Sequence, residues 1–138
     1  MYQIVRLQEG DYYKGYLELL RQLTVVEDVS YDDFCKQFSQ INSNVFVVKQ
    51  NEIVIGTASI IIERKFIRGM KSVGHIEDVV VDFKHRGCGI GKQLLDFLVD
   101  YAKNNNCYKV ILNCSDDNVG FYQKVGFNKK EVEMCLYF

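Results

Sequence analysis

The stretch Val79–Leu98, VVVDFKHRGCGIGKQLLDFL, carries an apolar run into a turn with three glycines and on into an amphipathic pattern. The run closes a strand predicted over Val73–Val81. After the turn, Ile90, Leu94, Leu95, Leu98 and Ala102 fall on one face of a helix predicted over Gly89–Lys103. A helix that starts at a bare turn presents unpaired N–H groups and the positive end of its dipole, which together bind anions. Gly87, Gly89 and Gly91 lack the Cβ atoms that would hold a diphosphate off, and Arg86 and Lys92 add positive charge. Two phosphate motifs fail on spacing. Gly87 and Gly91 enclose three residues where a Walker loop needs four, and Gln93, not Ser or Thr, follows Lys92. Lys92 also stands where a dinucleotide fingerprint needs its third glycine. The spaced glycines favour an anion site of another kind over a plain tight turn.

Outward from this turn, Gln3–Leu7 alternates as a short strand, and Asp11–Leu23 carries a helical stripe of Tyr13, Tyr16, Leu17, Leu20 and Leu23. Ser30 with Asp33 resembles a capping box, opening a helix that bears Phe34 and Phe38. Strands are predicted at Val45–Val48 and Ile53–Ile62, joined across the turn KQNE, then at Val110–Cys114 and Glu131–Phe138. Asp116–Val125 reads as a short helix capped by Ser115 or Asp116 and stopped at Gly126. The order β-α-α-β-β-β-α-β-α-β implies an α/β (α+β) mixed sheet flanked by about four helices.

The chain has 138 residues, no proline, no repeat and no linker-like stretch, so one domain over 1–138 is expected. Lysine plus arginine (17) nearly balance aspartate plus glutamate (18), and no stacking motif is present, which argues against nucleic acid as a partner. No apolar run has the length of a membrane span, and MYQIVRLQEGDYY lacks a signal-peptide layout. Five cysteines without a CxxC pair imply free thiols and a cytoplasmic protein. No metal-ligand spacing occurs, so no metal is expected.

The run Arg86-Gly87-Cys88-Gly89-Ile90-Gly91 resembles the acetyl-CoA signature of the GNAT superfamily of N-acyltransferases, and NVGFYQKVGF (Asn118–Phe127) resembles its second signature. The stretches FCK (Phe34–Lys36), IIIERKFI (Ile60–Ile67), GHIEDVVV (Gly74–Val81), CYK (Cys107–Lys109) and VEM (Val132–Met134) resemble the glucosamine-6-phosphate N-acetyltransferase family over nearly the whole chain. GHIEDVVV is the most specific of these, because two charges in mid-strand are no generic packing solution.

The resemblance implies a GNAT fold and direct acetyl transfer from acetyl-CoA to the amine of glucosamine 6-phosphate, in a homodimer whose C-terminal strands pack into the partner. It implies that the amides of Gly87 through Lys92 hold the diphosphate. The edge of Val79, Val80 and Val81 would pair with the pantetheine arm beside a splayed, bulged strand, with the N–H of Val80 as oxyanion donor. Asn118 would hold the arm from the other side, with Gln123 and Lys124 near the cofactor. Tyr122 becomes the candidate general acid: a phenol with an ordinary pKa of about 10 can protonate a thiolate whose own value is about 8.5. Glu77 and Asp78 are expected on opposite faces of their strand, so that one of them would meet the sugar hydroxyls or its amine. Lys65, Phe66, Ile67 and Arg68, with Tyr108, Lys109 and Thr24, would contact the substrate and its phosphate.

Two positions depart from fungal and animal members, which carry an acidic residue in place of Asn113 and an arginine in place of Tyr137. Asn113 can orient the amine but cannot accept its proton. Tyr137 offers a phosphate one neutral hydrogen bond instead of a charged bidentate pair. A GNAT enzyme for another small amine and a non-catalytic acyl-CoA-binding module are the alternatives. His75 is read as structural, His85 as a surface residue, and Cys88 as no nucleophile.

Overall fold

The structure, a computed structural model, describes residues 2–138. Among these, five strands form one sheet in chain order: β1 (Gln3–Arg6), β2 (Asn44–Gln50), β3 (Ile53–Glu63), β4 (Ser72–Val81) and β5 (Cys107–Ile111). Neighbours run antiparallel except β4 and β5, which are parallel. A parallel pair needs a crossover, and the helix predicted after the glycine turn supplies it as α4 (Ile90–Asn104). The β2–β3 hairpin turns at Asn51 and Glu52, both with positive φ (51° and 67°), as a two-residue hairpin loop matched to strand twist requires.

The sheet is covered on both faces. On one, Leu94, Leu95, Leu98 and Ala102 of α4 are fully buried against Phe46, Ile60 and Ile76. Each such leucine contributes about 1.5–3 kcal/mol relative to exposure. Gly74 makes the close approach possible, since a Cβ there would lie 3.0 Å from Ile60 Cδ1 and 3.4 Å from Ala102 Cβ. On the other face, α1 (Tyr16–Leu20) and α2 (Tyr31–Gln40) bury Leu17, Leu19 and Phe34 against Val47, Val54 and Val80. The Ser30 side chain accepts the Asp33 N–H at 3.1 Å, so the predicted cap of α2 is present. A single turn, α3 (Ile67–Met70), precedes β4, and α5 (Val119–Val125) ends at Gly126, whose φ is 114°.

Four predicted elements differ, the least of them the helix over Asp116–Val125, which opens as a 3-10 turn, Asp116–Asn118, ahead of α5 and without a side-chain cap from Ser115. The helix over Asp11–Leu23 is broken at Gly15 (φ 88°) into a 3-10 turn, Glu9–Lys14, and α1. The cause is Asp11: its Oδ2 accepts the Gln8 N–H at 2.8 Å, and its Oδ1 lies 2.7 Å from Lys49 Nζ. That residue anchors a buried turn and cannot ride on an exposed helical face. The strand predicted at Val110–Cys114 begins three residues earlier, because Ser72 donates to the Asn106 carbonyl at 3.0 Å and starts the parallel ladder there. The final strand over Glu131–Phe138 is absent. Val132, Met134 and Leu136 are 87%, 92% and 79% exposed, and among the described residues the alternating segment pairs with no strand.

The Lys49–Asp11 pair has side chains only 9% and 1% exposed. Lys49→Met leaves a buried carboxylate without its countercharge, a loss of about 3–5 kcal/mol. Urea unfolding should show a midpoint lowered accordingly; an unchanged midpoint would mean the pair contributes nothing.

Candidate active site

The site is built where β4 loses its regular pairing. Thr57 of β3 stands opposite Val80, but Ser59 stands opposite Glu77, so β4 holds one extra residue. Asp78 takes it up at φ 52°, left-handed backbone that aspartate tolerates better than most residues, at a cost of about 1–3 kcal/mol. The bulge shifts side-chain parity. Ile76, Val79 and Val81 all pack on the α4 side, while Val80 packs with α1 and α2. The expectation that Glu77 and Asp78 lie on opposite faces is therefore corrected, because the bulge interrupts the alternation it assumed. Glu77 shares the face of its partner Ser59, towards α1, and Asp78 exerts its charge on Tyr16 of α1.

Backbone direction shifts with parity. Asp82 donates to the Ile55 carbonyl at 2.8 Å, and alternation along the antiparallel ladder then turns the N–H of Val80 towards Thr57. The family resemblance implies an oxyanion donor at Val80. The ladder instead turns Val79 and Val81 away from β3. On that side the β4–β5 pairing ends at His75 and Ile111, so the two strands part and leave a slot lined by the free edge of Val79–Val81. The Val81 carbonyl accepts Arg86 Nε at 3.0 Å, which ties the glycine turn to the lip of the slot.

The three glycines do different work. Gly87 and Gly89 both have φ 81° and nothing within 4 Å of a built Cβ, so they shape an open turn. A Cβ on Gly91 would meet Phe121 at 3.0 Å, which makes Gly91 the contact between α4 and α5. No side chain caps the start of α4 at Gly89. The exposed Lys92 lies along the helix with Nζ 2.7 Å from Asp96, and Ile90 is buried in the core. Cys88 is exposed, its sulfur 4.0 Å from the Arg86 carbonyl.

Tyr122 is half-buried on α5, edge-on to Phe121 and Phe127 with ring centroids 5.0 and 6.1 Å away. Burial, with a smaller push from Cys114, raises its phenol above the ordinary value. It lines a cavity of ≈ 680 Å³ between α4, β5, α5 and the C-terminal tail, which Tyr108, Lys109, Asn113 and Gln123 also border. Asn118 stands exposed at the start of α5, and Lys124 is exposed on its outer side.

The residues predicted for the acceptor fall into groups. Arg68 and Lys109 both sit over the Tyr108 ring, at 5.5 and 5.7 Å from its centroid, so two cations and a phenol meet at the start of β5. Arg68 itself has φ 55°, in a strained turn that leaves Phe66 and Ile67 exposed. Lys65 Nζ lies 3.3 Å from Glu63, whose other oxygen is 2.8 Å from His75 Nε2. His75 first, and Lys65 second, hold the Glu63 carboxyl below its usual range. Asn113 is exposed just past β5. Thr24 is exposed beyond α1, and Tyr137 lies on the exposed tail, away from these groups in sequence and without a hydrogen bond among the described residues.

Two placements escape the sequence pattern. His85 is half-buried between Asp82 and Gln50, contrary to the surface role expected of it. Tyr16 brings a buried phenol to the Thr57 hydroxyl, and burial first, then the Asp78 charge, pushes it up to about 12. Its place in an apolar stripe conceals this. Among the described residues no cluster of His, Cys, Asp and Glu is arranged to hold a metal ion.

Comparisons with known proteins match this geometry. The family model of the Acetyltransferase (GNAT) family covers residues 2–127. Glucosamine 6-phosphate N-acetyltransferase from Arabidopsis thaliana is 42% identical, over 99% of this chain and 97% of its own. The Candida albicans enzyme of the same name is 37% identical, over 99% and 96%. The crystal structure of the Arabidopsis thaliana enzyme superposes with a TM-score of 0.96 at 40% identity, covering 100% of this chain and 99% of that one. The chain belongs to the GNAT acetyltransferase family and, within it, to the glucosamine 6-phosphate N-acetyltransferases.

Proposed function

We propose that this chain is an acetyltransferase that moves the acetyl group of acetyl-CoA to the amine of glucosamine 6-phosphate, giving the N-acetylated sugar phosphate and free CoA. The observation that carries the proposal is the slot opened at the Asp78 bulge, with the glycine turn tied to its lip through Arg86. The pantetheine arm, an amide chain, adds to the free edge of Val79–Val81 as a short strand would. Its diphosphate meets the uncapped amides from Gly87 to Lys92 at the start of α4. Asn118, Gln123 and Lys124 flank the arm from α5.

Transfer is direct. The amine lone pair attacks the thioester carbon, and the oxygen gains charge that the N–H of Val79 is turned to receive. The C–S bond then breaks, and Tyr122 gives its proton to the departing thiolate. The amine loses its extra proton to water, since Asn113 can orient it but not take that proton. An amino-sugar amine is more acidic than a lysine, which leaves a neutral fraction near neutral pH. Glu77 and Asp78 hold the sugar, and Arg68, Lys109 and Tyr108 gather at its phosphate, with Lys65 supplied from its pair with Glu63. Thr24 is a further contact.

We assign the assembly to a homodimer of single-domain chains, 1–138, working in the cytoplasm. The exposed, alternating tail and the apolar walls of the neighbouring cavity, from Val110, Leu112, Val119 and Val125, support an exchange of tails between two copies. Tyr137 then reaches a substrate on the partner. The five unpaired thiols suit a reducing compartment, and among the described residues no helix is long and apolar enough to cross a membrane.

Thiol release from acetyl-CoA, measured with glucosamine 6-phosphate beside glucosamine and a lysine-containing peptide, tests the acceptor. Strong preference for the phosphorylated sugar is expected; equal turnover of all three would overturn the assignment. Tyr122→Phe should lower kcat by about 10²-fold with little change in acetyl-CoA affinity. Because the folded phenol is raised, it stays protonated through neutral pH, and rate lost through its ionisation should appear only above about pH 10. A Tyr122-dependent fall near pH 8 would contradict that role. Leu136→Asp should convert the dimer to a monomer in sedimentation; an unchanged mass would remove the tail from the interface.

A further inference from the structure

Between β4 and the glycine turn lies a polar cluster that the reaction itself does not use. Asp82 comes directly after β4. Its Oδ1 accepts Gln22 Nε2 at 2.7 Å, and its Oδ2 lies 2.8 Å from His85 Nδ1. The same Gln22 accepts the Phe83 N–H through Oε1 at 2.9 Å, so one side chain from just past α1 grips two successive residues of the turn. His85 reaches on through Nε2 to Gln50 Oε1, at 3.0 Å, on the last residue of β2. The Asp82 backbone N–H is bound to Ile55 of β3. Three separate parts of the chain thus converge on residues 82–85.

Arg86 leads out of this anchored turn into Gly87 and Gly89. The two glycines are left-handed with open space around them, and no packing of their own fixes the path of the chain there. Among the described residues the Arg86 side chain makes one hydrogen bond, to the Val81 carbonyl. A loop of two permissive glycines would sample many arrangements if its entry were free, and amides pointing in varied directions bind a diphosphate poorly because ordering them costs affinity. The entry is not free. The Gln22 amide first, and His85 after it, hold the Asp82 carboxyl below its usual range, consistent with a charged acceptor at the centre of the cluster.

We propose that Asp82 is a positioning residue for acyl-donor binding: with His85, Gln22 and Gln50 it fixes the entry to the glycine turn so that the amides of Gly87 through Lys92 are preset for the diphosphate. This role rests on the glycine turn being the acyl-donor site. Asp82 touches neither donor nor acceptor, so its effect falls on affinity for acetyl-CoA and not on the chemical step. Through Gln22 the cluster joins the glycine turn to the segment just past α1.

Acetyl-CoA binding by titration calorimetry, together with steady-state kinetics, tests the proposal on four proteins. Asp82→Ala should weaken acetyl-CoA binding and raise its KM by about tenfold, the size of one lost charge-assisted hydrogen bond, with kcat at saturation nearly unchanged. Gln22→Leu, distant in sequence and on an exposed surface, should reproduce that shift. Asp82→Asn accepts from Gln22 and can donate to the Nδ1 of a neutral His85, so it should stay within about threefold of the unmodified protein. The KM for glucosamine 6-phosphate should not move in any of them. If the unmodified protein bound acetyl-CoA and Asp82→Ala and Gln22→Leu bound it equally well, the positioning role would be overturned while the donor site stood. A fall in kcat without a change in KM would overturn it too. Failure of the unmodified protein to bind acetyl-CoA at all would overturn the donor reading, and this role with it.

Discussion

One extra residue in a strand governs this molecule. Asp78, held left-handed, moves everything after it in β4 by one position, so that Val79 and Val81 turn to the α4 side and Val80 to the other. Without the bulge, Val79 and Val81 would bond to β3 and β4 would present a different pair of backbone groups at its open edge. With it, the free edge faces the gap where β4 and β5 part after His75 and Ile111. Bulges re-aim a strand at a modest energetic cost, and here the core offsets it. Ile76 before the bulge and Val79 and Val81 after it all find places against α4.

The glycine turn is organised by a division of labour that its spacing alone does not reveal. Gly91 exists for the contact of α4 with Phe121, which fixes α5 and therefore Tyr122. Gly87 and Gly89 exist for the path of the backbone. An open backbone turn, a helix–helix contact and the placement of the Tyr122 phenol are thus joined within five residues. The same economy holds on the opposite side, where Asp11 ends a turn, pairs with Lys49 and breaks what the apolar stripe alone would make one helix.

Much of this is legible in the residues. Helix α4 and its buried face follow from the spacing of Ile90, Leu94, Leu95, Leu98 and Ala102, and the cap of α2 from Ser30 and Asp33, because these are local patterns with local causes. GHIEDVVV announces itself through two charges in mid-strand, yet the shift of parity cannot be read, since no glycine marks the left-handed residue. That is why the resemblance alone points to Val80, although the backbone N–H turned away from β3 is that of Val79. The start of β5 is misplaced because the apolar run VILNC outlasts the ladder, whose first bond comes from Ser72. The contacts of Asp82 with Gln22, and of His85 with Gln50, span 60 and 35 positions and leave no trace in periodicity. The tail alternates like a strand, but among the described residues it pairs with none.

The central claim is that the acetyl-CoA thioester lies in the slot beside the bulge with its oxygen at Val79. A crystal structure of the complex with acetyl-CoA measures this directly. The account predicts pantetheine paired along Val79–Val81, diphosphate oxygens on the amides at the start of α4, and the thioester oxygen within hydrogen-bonding reach of the Val79 N–H while Val80 remains bound to Thr57. A thioester oxygen on Val80, or pantetheine lying outside the gap between β4 and β5, would contradict it.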